Sequence, residues 1–99
     1  MNLQAMLKQA QSMQKDMLKS QEEINQMDFT GENGLVKVAM KGTRKITKVT
    51  IEKDDSFSSD DLEMLEDMVM VAVNEALGKI EKITEEKMGK YTKGIPGLF

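Results

Sequence analysis

Asn33-Gly34-Leu35-Val36-Lys37-Val38-Ala39-Met40-Lys41-Gly42-Thr43-Arg44-Lys45-Ile46-Thr47-Lys48-Val49-Thr50-Ile51 is the stretch that decides the fold. Val36, Val38 and Met40 alternate with Lys37 and Lys41, the period of a half-buried strand. Asn33-Gly34 signals a tight turn, because both residues tolerate positive φ. Gly42-Thr43-Arg44 makes the next turn. In residues 45–53, Val49 and Ile51 join the apolar face, while Lys48 and Thr50 point outward. A short strand at about residues 26–31, with Phe29 as its buried residue, completes the set. The pattern predicts an antiparallel three-stranded sheet with one covered face and one polar face.

On the N-terminal side, residues 3–27 read as one helix. Leu3, Met6, Ala10, Met13, Met17, Ser20, Ile24 and Met27 recur at spacings of three and four, an a/d stripe broken only by Ser20. So narrow a stripe predicts packing against another helix rather than into a wide core. On the C-terminal side, Asp54 to Ser59 form a polar loop. Ser58-x-x-Asp61 and Asp60-x-x-Glu63 resemble capping arrangements. A long helix then spans about residues 61–90, with Leu65, Val69, Ala72, Ala76, Ile80 and Ile83 as its stripe.

Two features of this second helix bear on assembly. Met68, Val69, Met70, Val71, Ala72 and Val73 are apolar without a break. A helix that is apolar all round is buried on more than one side. One side covers the sheet, and Met68, Val69, Met70, Val71 and Val73 are assigned to a dimer interface. After Ile83 the stripe falls on Lys87, so the distal turns are expected to project beyond the core. Gly89 and Gly94-Ile95-Pro96-Gly97 punctuate the end. The organisation is one domain over residues 1–90 and a flexible Gly/Pro-containing tail over 91–99.

Composition narrows the chemistry. The chain has 99 residues, enough for one small domain, whose marginal core favours oligomerisation. It has no Cys and no His, which removes disulfides, thiol nucleophiles, Cys/His zinc sites and an imidazole base. No apolar run approaches the ~20 residues that span a bilayer, and no signal peptide is visible, so a cytoplasmic location is expected. Asp54, Asp55, Asp60, Asp61 and Glu63 lack the spacing and the loop glycine of a calcium loop, and read as a solvated, capped helix start. Neither a nucleophile–base pair nor a phosphate-binding glycine loop is present. No enzymatic activity, metal, cofactor or small-molecule substrate is expected.

The basic residues carry more information. Net charge is -3, but it is segregated. Residues 35–51 hold five basic side chains and no acid; residues 52–67 hold eight acids and one Lys. Lys8, Lys15 and Lys19 lie opposite the stripe of the first helix. Lys79, Lys82 and Lys90 share a flank of the second, with Lys87 nearby. Each set alone is an ordinary solvated surface. Doubled by a dimer and spaced over tens of ångströms, they match a phosphate backbone. With one Arg, one Tyr and no Trp, base reading and stacking are poorly supplied. Lys–phosphate contacts with weak sequence preference are expected, from Lys8, Lys15, Lys19, Lys79, Lys82, Lys87 and Lys90 first. The outer-sheet Lys37, Lys41 and Lys48 come second.

Several short pieces occur in a specific order: Met6-Leu7-Lys8-Gln9-Ala10-Gln11, Thr30-Gly31-Glu32, Gly34-Leu35-Val36-Lys37-Val38, Met40-Lys41-Gly42 and Val49-Thr50-Ile51. Leu62-Glu63-Met64-Leu65-Glu66-Asp67, Ala72-Val73-Asn74-Glu75-Ala76 and Glu86-Lys87-Met88 follow. This ordered set, over nearly the whole chain, resembles the YbaB/EbfC family of nucleoid-associated proteins. The resemblance implies an α+β chain in an intertwined homodimer with projecting, pincer-like helices. It also implies a partner, double-stranded DNA, whose conformation is altered, with possible effects on gene expression. The rival reading is a chaperone-like or adaptor module that binds proteins through its paired helices, as in prefoldin-type subunits. Lys82, Glu85, Glu86 and Lys87 at the distal end of the second helix suit that rival poorly.

Overall fold

The computed structural model describes residues 2–92. The order is α1 (Leu3–Gln26), β1 (Asp28–Asn33), β2 (Val36–Lys41), β3 (Ile46–Ile51), a single 3-10 turn (Ser59–Asp61) and α2 (Leu62–Thr92). The three strands form one antiparallel sheet in sequence order. This is the α+β arrangement that the alternation and the two flanking stripes predict.

Each helix starts at a cap. Asn2 accepts from the backbone N–H groups of Gln4 and Ala5, and so satisfies two otherwise orphan donors of α1. Ser58 and Asp61 form the reciprocal capping box before α2. The residues between them make one 3-10 turn, so α2 proper begins at Leu62 rather than Asp61.

The strand boundaries shift slightly from expectation. β1 begins at Asp28, not near Gln26, because α1 continues to Gln26 and Met27 caps it through its N–H to the Ile24 carbonyl. Asn33 pairs with Val36, so the turn residues are Gly34 and Leu35. Gly34 alone takes positive φ (+54°), the pattern of a turn with glycine at its first central position. At the second hairpin, Arg44 N–H donates to the Lys41 carbonyl and Lys41 N–H to that of Lys45. That closes a three-residue loop with Arg44 in the left-handed region (φ 72°).

The core lies between α2 and the first two strands. Phe29, Val36, Val38, Met40, Ala72, Ala76 and Ile80 are buried together, and Leu65, Val69, Val73 and Ile83 pack around them. Small residues on α2 let β1 approach closely: a Cβ on Gly31 would collide with the Ala72 carbonyl oxygen. Gly42 presses in the same way on the Ile24 carbonyl, which fastens the second hairpin to the last turn of α1.

The molecule is long. Its radius of gyration is 19.8 Å, against about 13 Å for a compact domain of this size. Its extents are 72 × 23 × 14 Å. The length comes from the helices, about 36 Å for α1 and about 46 Å for α2 at the usual rise per residue. The distal turns of α2 lie beyond the core, as expected, but they do so alongside α1 rather than alone. Tyr91 is only 7% exposed, Met88 is half-buried, and the Lys87 ammonium lies 3.7 Å from the Glu23 carboxylate on α1. On α1, Met13, Met17 and Ser20 are half-buried and Ile24 is fully buried. The stripe of α1 therefore finds its helical partner in distal α2, and the helix continues past Gly89 to Thr92. Tyr91 and Thr92 thus belong to the helix, and the remainder of the expected tail, residues 93–99, lies outside the described residues. The free projection belongs instead to the N-terminal turns of α1, where Leu3, Met6, Leu7 and Ala10 are all exposed.

Candidate nucleic-acid interface

Alternation on β2 fixes which lysines face out. Directly paired residues share a face, so the register places Thr30, Ala39 and Lys48 in one row and Glu32, Lys37 and Thr50 in the next. Lys37, Lys41 and Lys48 all lie on the polar face, as the pattern predicts. They are not equivalent. Lys37 pairs with Glu32 at 3.5 Å, and Lys41 with Asp28 at 2.9 Å. Lys48 makes no ion pair among the described residues.

The helix lysines divide in the same way. Lys79 donates to the Thr30 carbonyl at 2.7 Å and lies 3.6 Å from Glu75. Lys87 is engaged with Glu23, and the Lys90 ammonium sits 5.0 Å from the Tyr91 ring centroid. Lys8, Lys15, Lys19 and Lys82 are exposed and make no ion pair among the described residues. These four, with Lys48 and the hairpin residues Arg44 and Lys45, are exposed cations outside any ion pair among the described residues. They are the cations most available to a polyanion.

A second surface is apolar. α2 covers β1 and β2 but leaves β3 open: Ile46, Val49 and Ile51 are 45%, 49% and 51% exposed. All three lie on the core face, opposite Met40, Val38 and Val36. Alternation alone puts Ile46 on the other face, with Lys48 and Thr50. A register shift between Ala39 and Met40 leaves Thr47 unpaired and resets the parity. Thr47 marks the shift with a hydroxyl bond to the Ala39 carbonyl. Sequence reading therefore found Val49 and Ile51 but missed Ile46.

On α2, Leu62, Met64, Met70 and Val71 are also exposed. A half-open hollow of about 280 Å³ joins the open face of β3, with Leu35, Ile51, Phe57 and Leu65 in its lining. Of the residues assigned to a dimer interface, Met70 and Val71 point outward. Met68, Val69 and Val73 pack partly against the chain's own core, and the Met68 sulfur accepts from the Leu35 N–H.

Among the described residues no three acidic side chains cluster closely enough to hold a metal ion. Nor does any helix run long and apolar enough to cross a membrane. The acidic loop is ordered locally. The Ser56 hydroxyl and N–H both donate to the Asp54 carboxylate, at 2.6 and 2.9 Å, and hold its pKa below the usual Asp value.

Helix, three-stranded sheet and long helix, with lysines along both helices, is the arrangement that a family comparison can decide. The YbaB/EbfC DNA-binding family model matches residues 1–95. The chain belongs to the YbaB/EbfC DNA-binding family. Its relatives include a nucleoid-associated protein of Enterococcus faecalis, 50% identical over 99 residues, covering 98% of this chain and 94% of the relative. One from Lactococcus lactis is 50% identical over 98 residues, covering 97% of this chain and 98% of that one. The fold also matches the crystal structure of an uncharacterized protein, HP0035, of Helicobacter pylori. The TM-score is 0.75 at 20% identity, over 93% of this chain and 98% of that one.

Proposed function

We propose that this family member is a nucleoid-associated protein that binds duplex DNA as a homodimer, chiefly through Lys–phosphate contacts. The supporting observation is the row Lys8, Lys15 and Lys19 on α1, exposed and outside any ion pair among the described residues. Lys82 and Lys48 extend the set. Lys79, Lys87, Lys37 and Lys41 already hold intramolecular partners, so they contribute less. Such contacts read charge and spacing rather than base edges, which gives low sequence specificity and a strong dependence on salt. Binding along both arms of a dimer alters DNA conformation and, through it, gene expression. The place of action is the nucleoid.

The second copy is supported by the apolar strip Ile46, Val49 and Ile51. A three-stranded sheet with one strand's core face open to water keeps a third of that face unburied. Burying one large aliphatic side chain is worth about 1.5–3 kcal/mol, so covering the strip on two chains is a substantial gain. A two-fold pair places each strip against its copy and presents two sets of helix lysines.

The test is Lys15→Glu with Lys19→Glu. The doubly substituted protein keeps its helix content and mass, binds a random-sequence duplex more weakly and shows a flatter salt dependence. Unchanged affinity in a folded dimer removes α1 from the interface.

One observation favours the rival. Leu3, Met6 and Leu7 expose apolar surface at the projecting end of α1, where a protein client could dock. Suppression of aggregation of an unfolded client, without DNA binding at low salt, supports that reading.

A further inference from the structure

Fourteen basic residues occur in the chain, and thirteen are Lys. The one Arg, Arg44, occupies the single positive-φ position held by a non-glycine residue among those described (φ 72°). In a three-residue hairpin loop of this kind the left-handed position is normally glycine, because a Cβ there is strained. Such strain is kept where the surroundings or the function demand it. The surroundings do not. Arg44 is exposed, and its side chain makes no ion pair or hydrogen bond among the described residues. A cation at this end of the sheet does serve α1, since Lys41 reaches the Gln26 carbonyl at 3.5 Å, but that cation is Lys41. What the backbone needs at residue 44 is its N–H bond to the Lys41 carbonyl, which glycine supplies equally.

The hairpin itself carries only positive charge, and Asp28 on the neighbouring strand is already paired with Lys41. Lys45 follows Arg44 at the tip, and Lys48 comes three residues on; both are exposed and make no ion pair among the described residues. No acid occurs in residues 35–51. Gly42, packed against Ile24, fixes the tip to the last turn of α1, so the cluster is held on the same rigid body as the helix lysines. A guanidinium differs from an ammonium in presenting a planar fork that grips a phosphate through two parallel bonds.

We propose that the β2–β3 hairpin tip is a second DNA contact, separate from the helix lysines, in which Arg44 grips a backbone phosphate and Lys45 and Lys48 flank it. The inference rests on the reading that the protein binds duplex DNA.

Arg44→Gly gives the test a crossed sign. Relief of the strained backbone raises Tm, while loss of the guanidinium weakens binding to a random-sequence duplex roughly fivefold and lowers the salt slope by about one per protomer. Arg44→Lys keeps both the strain and the charge, so its Tm stays at the parental value and most of the salt slope returns. Raised Tm with parental affinity and slope overturns the proposal, as does a Tm that does not rise. A fall in solution mass on Arg44→Gly also overturns it, by assigning the tip to contact between copies. The two readings fail differently. If the DNA reading itself fails, the parent protein does not bind at low salt. If only this inference fails, the parent binds and Arg44→Gly binds equally well.

Discussion

Gly31 on β1 and the carbonyl of Ala72 on α2 leave no room between them for a single methyl group: a Cβ at residue 31 would strike that oxygen and lie 2.8 Å from the Ala76 N–H nitrogen. Both obstacles are helix backbone, which cannot turn aside as a side chain can. The contact sets the distance between sheet and helix along the whole seam, and Phe29, Val38 and Ile80 pack at that distance.

Gly31→Ala therefore forces β1 away from α2 and opens the core on both sides. Overpacking costs about 1–3 kcal/mol, towards the upper end where the obstacle is backbone, a large part of the stability of a domain this small. Denaturant unfolding should show a much lower midpoint. A midpoint within error of the parent would mean the seam is not tight.

The strip on β3 makes the opposite kind of prediction. Val49 and Ile51 are half exposed in the single chain, so charging them does little to the protomer's own core. Val49→Asp with Ile51→Asp should leave far-UV circular dichroism intact and halve the solution mass. The same protein should lose DNA affinity, because only one set of helix lysines remains per particle. A full-mass dimer would place the interface elsewhere.

Tyr91 is buried at the distal end of α2, one turn beyond the Lys87–Glu23 pair that ties α2 to α1. Tyr91→Ala removes a ring that is 7% exposed and costs about 2 kcal/mol of local stability. The arm rather than the sheet bears the loss. Hydrogen exchange should quicken in residues 13–20 and 84–92, and stay slow in β1 and β2. Uniform quickening across the chain would mean the arm and the sheet unfold as one unit.

Asp54 supplies a pH prediction. Two bonds from Ser56 favour its ionised form and lower its pKa in the folded chain. A lowered folded pKa contributes stability above the unfolded value, and that contribution is lost as pH falls through the folded one. At neutral pH it is fully present. The group is exposed, so the effect on global stability is small, and the carboxyl itself is the better reporter. Its carbon chemical shift should titrate below the usual Asp range, and Ser56→Ala should move the midpoint up. An identical midpoint in both proteins would leave the Ser56 bonds without influence.

Most of the fold was legible because its signals are local. Alternation over Val36, Val38 and Met40, the capping pair Ser58 and Asp61, and the α2 stripe each depend on neighbours within a few residues. What escaped depends on distant partners. The face of Ile46 was hidden because one unpaired residue, Thr47, reverses the parity, and nothing in its identity announces a bulge. The packing of distal α2 was hidden because Lys87 reads as the end of a stripe, whereas Glu23 on another helix receives it. The candidate site was half legible for the same reason. Lysines can be counted from the chain, but Lys79, Lys87, Lys37 and Lys41 lose their availability to groups that only the fold brings near.

The most direct test of the central claim is a salt titration of binding to a labelled random-sequence duplex, with solution mass measured in parallel. A dimer is expected whose log affinity falls linearly and steeply with log salt, at a slope of about 0.9 per phosphate contacted. A folded dimer that does not bind DNA at low salt, or one whose affinity ignores salt, would contradict that claim.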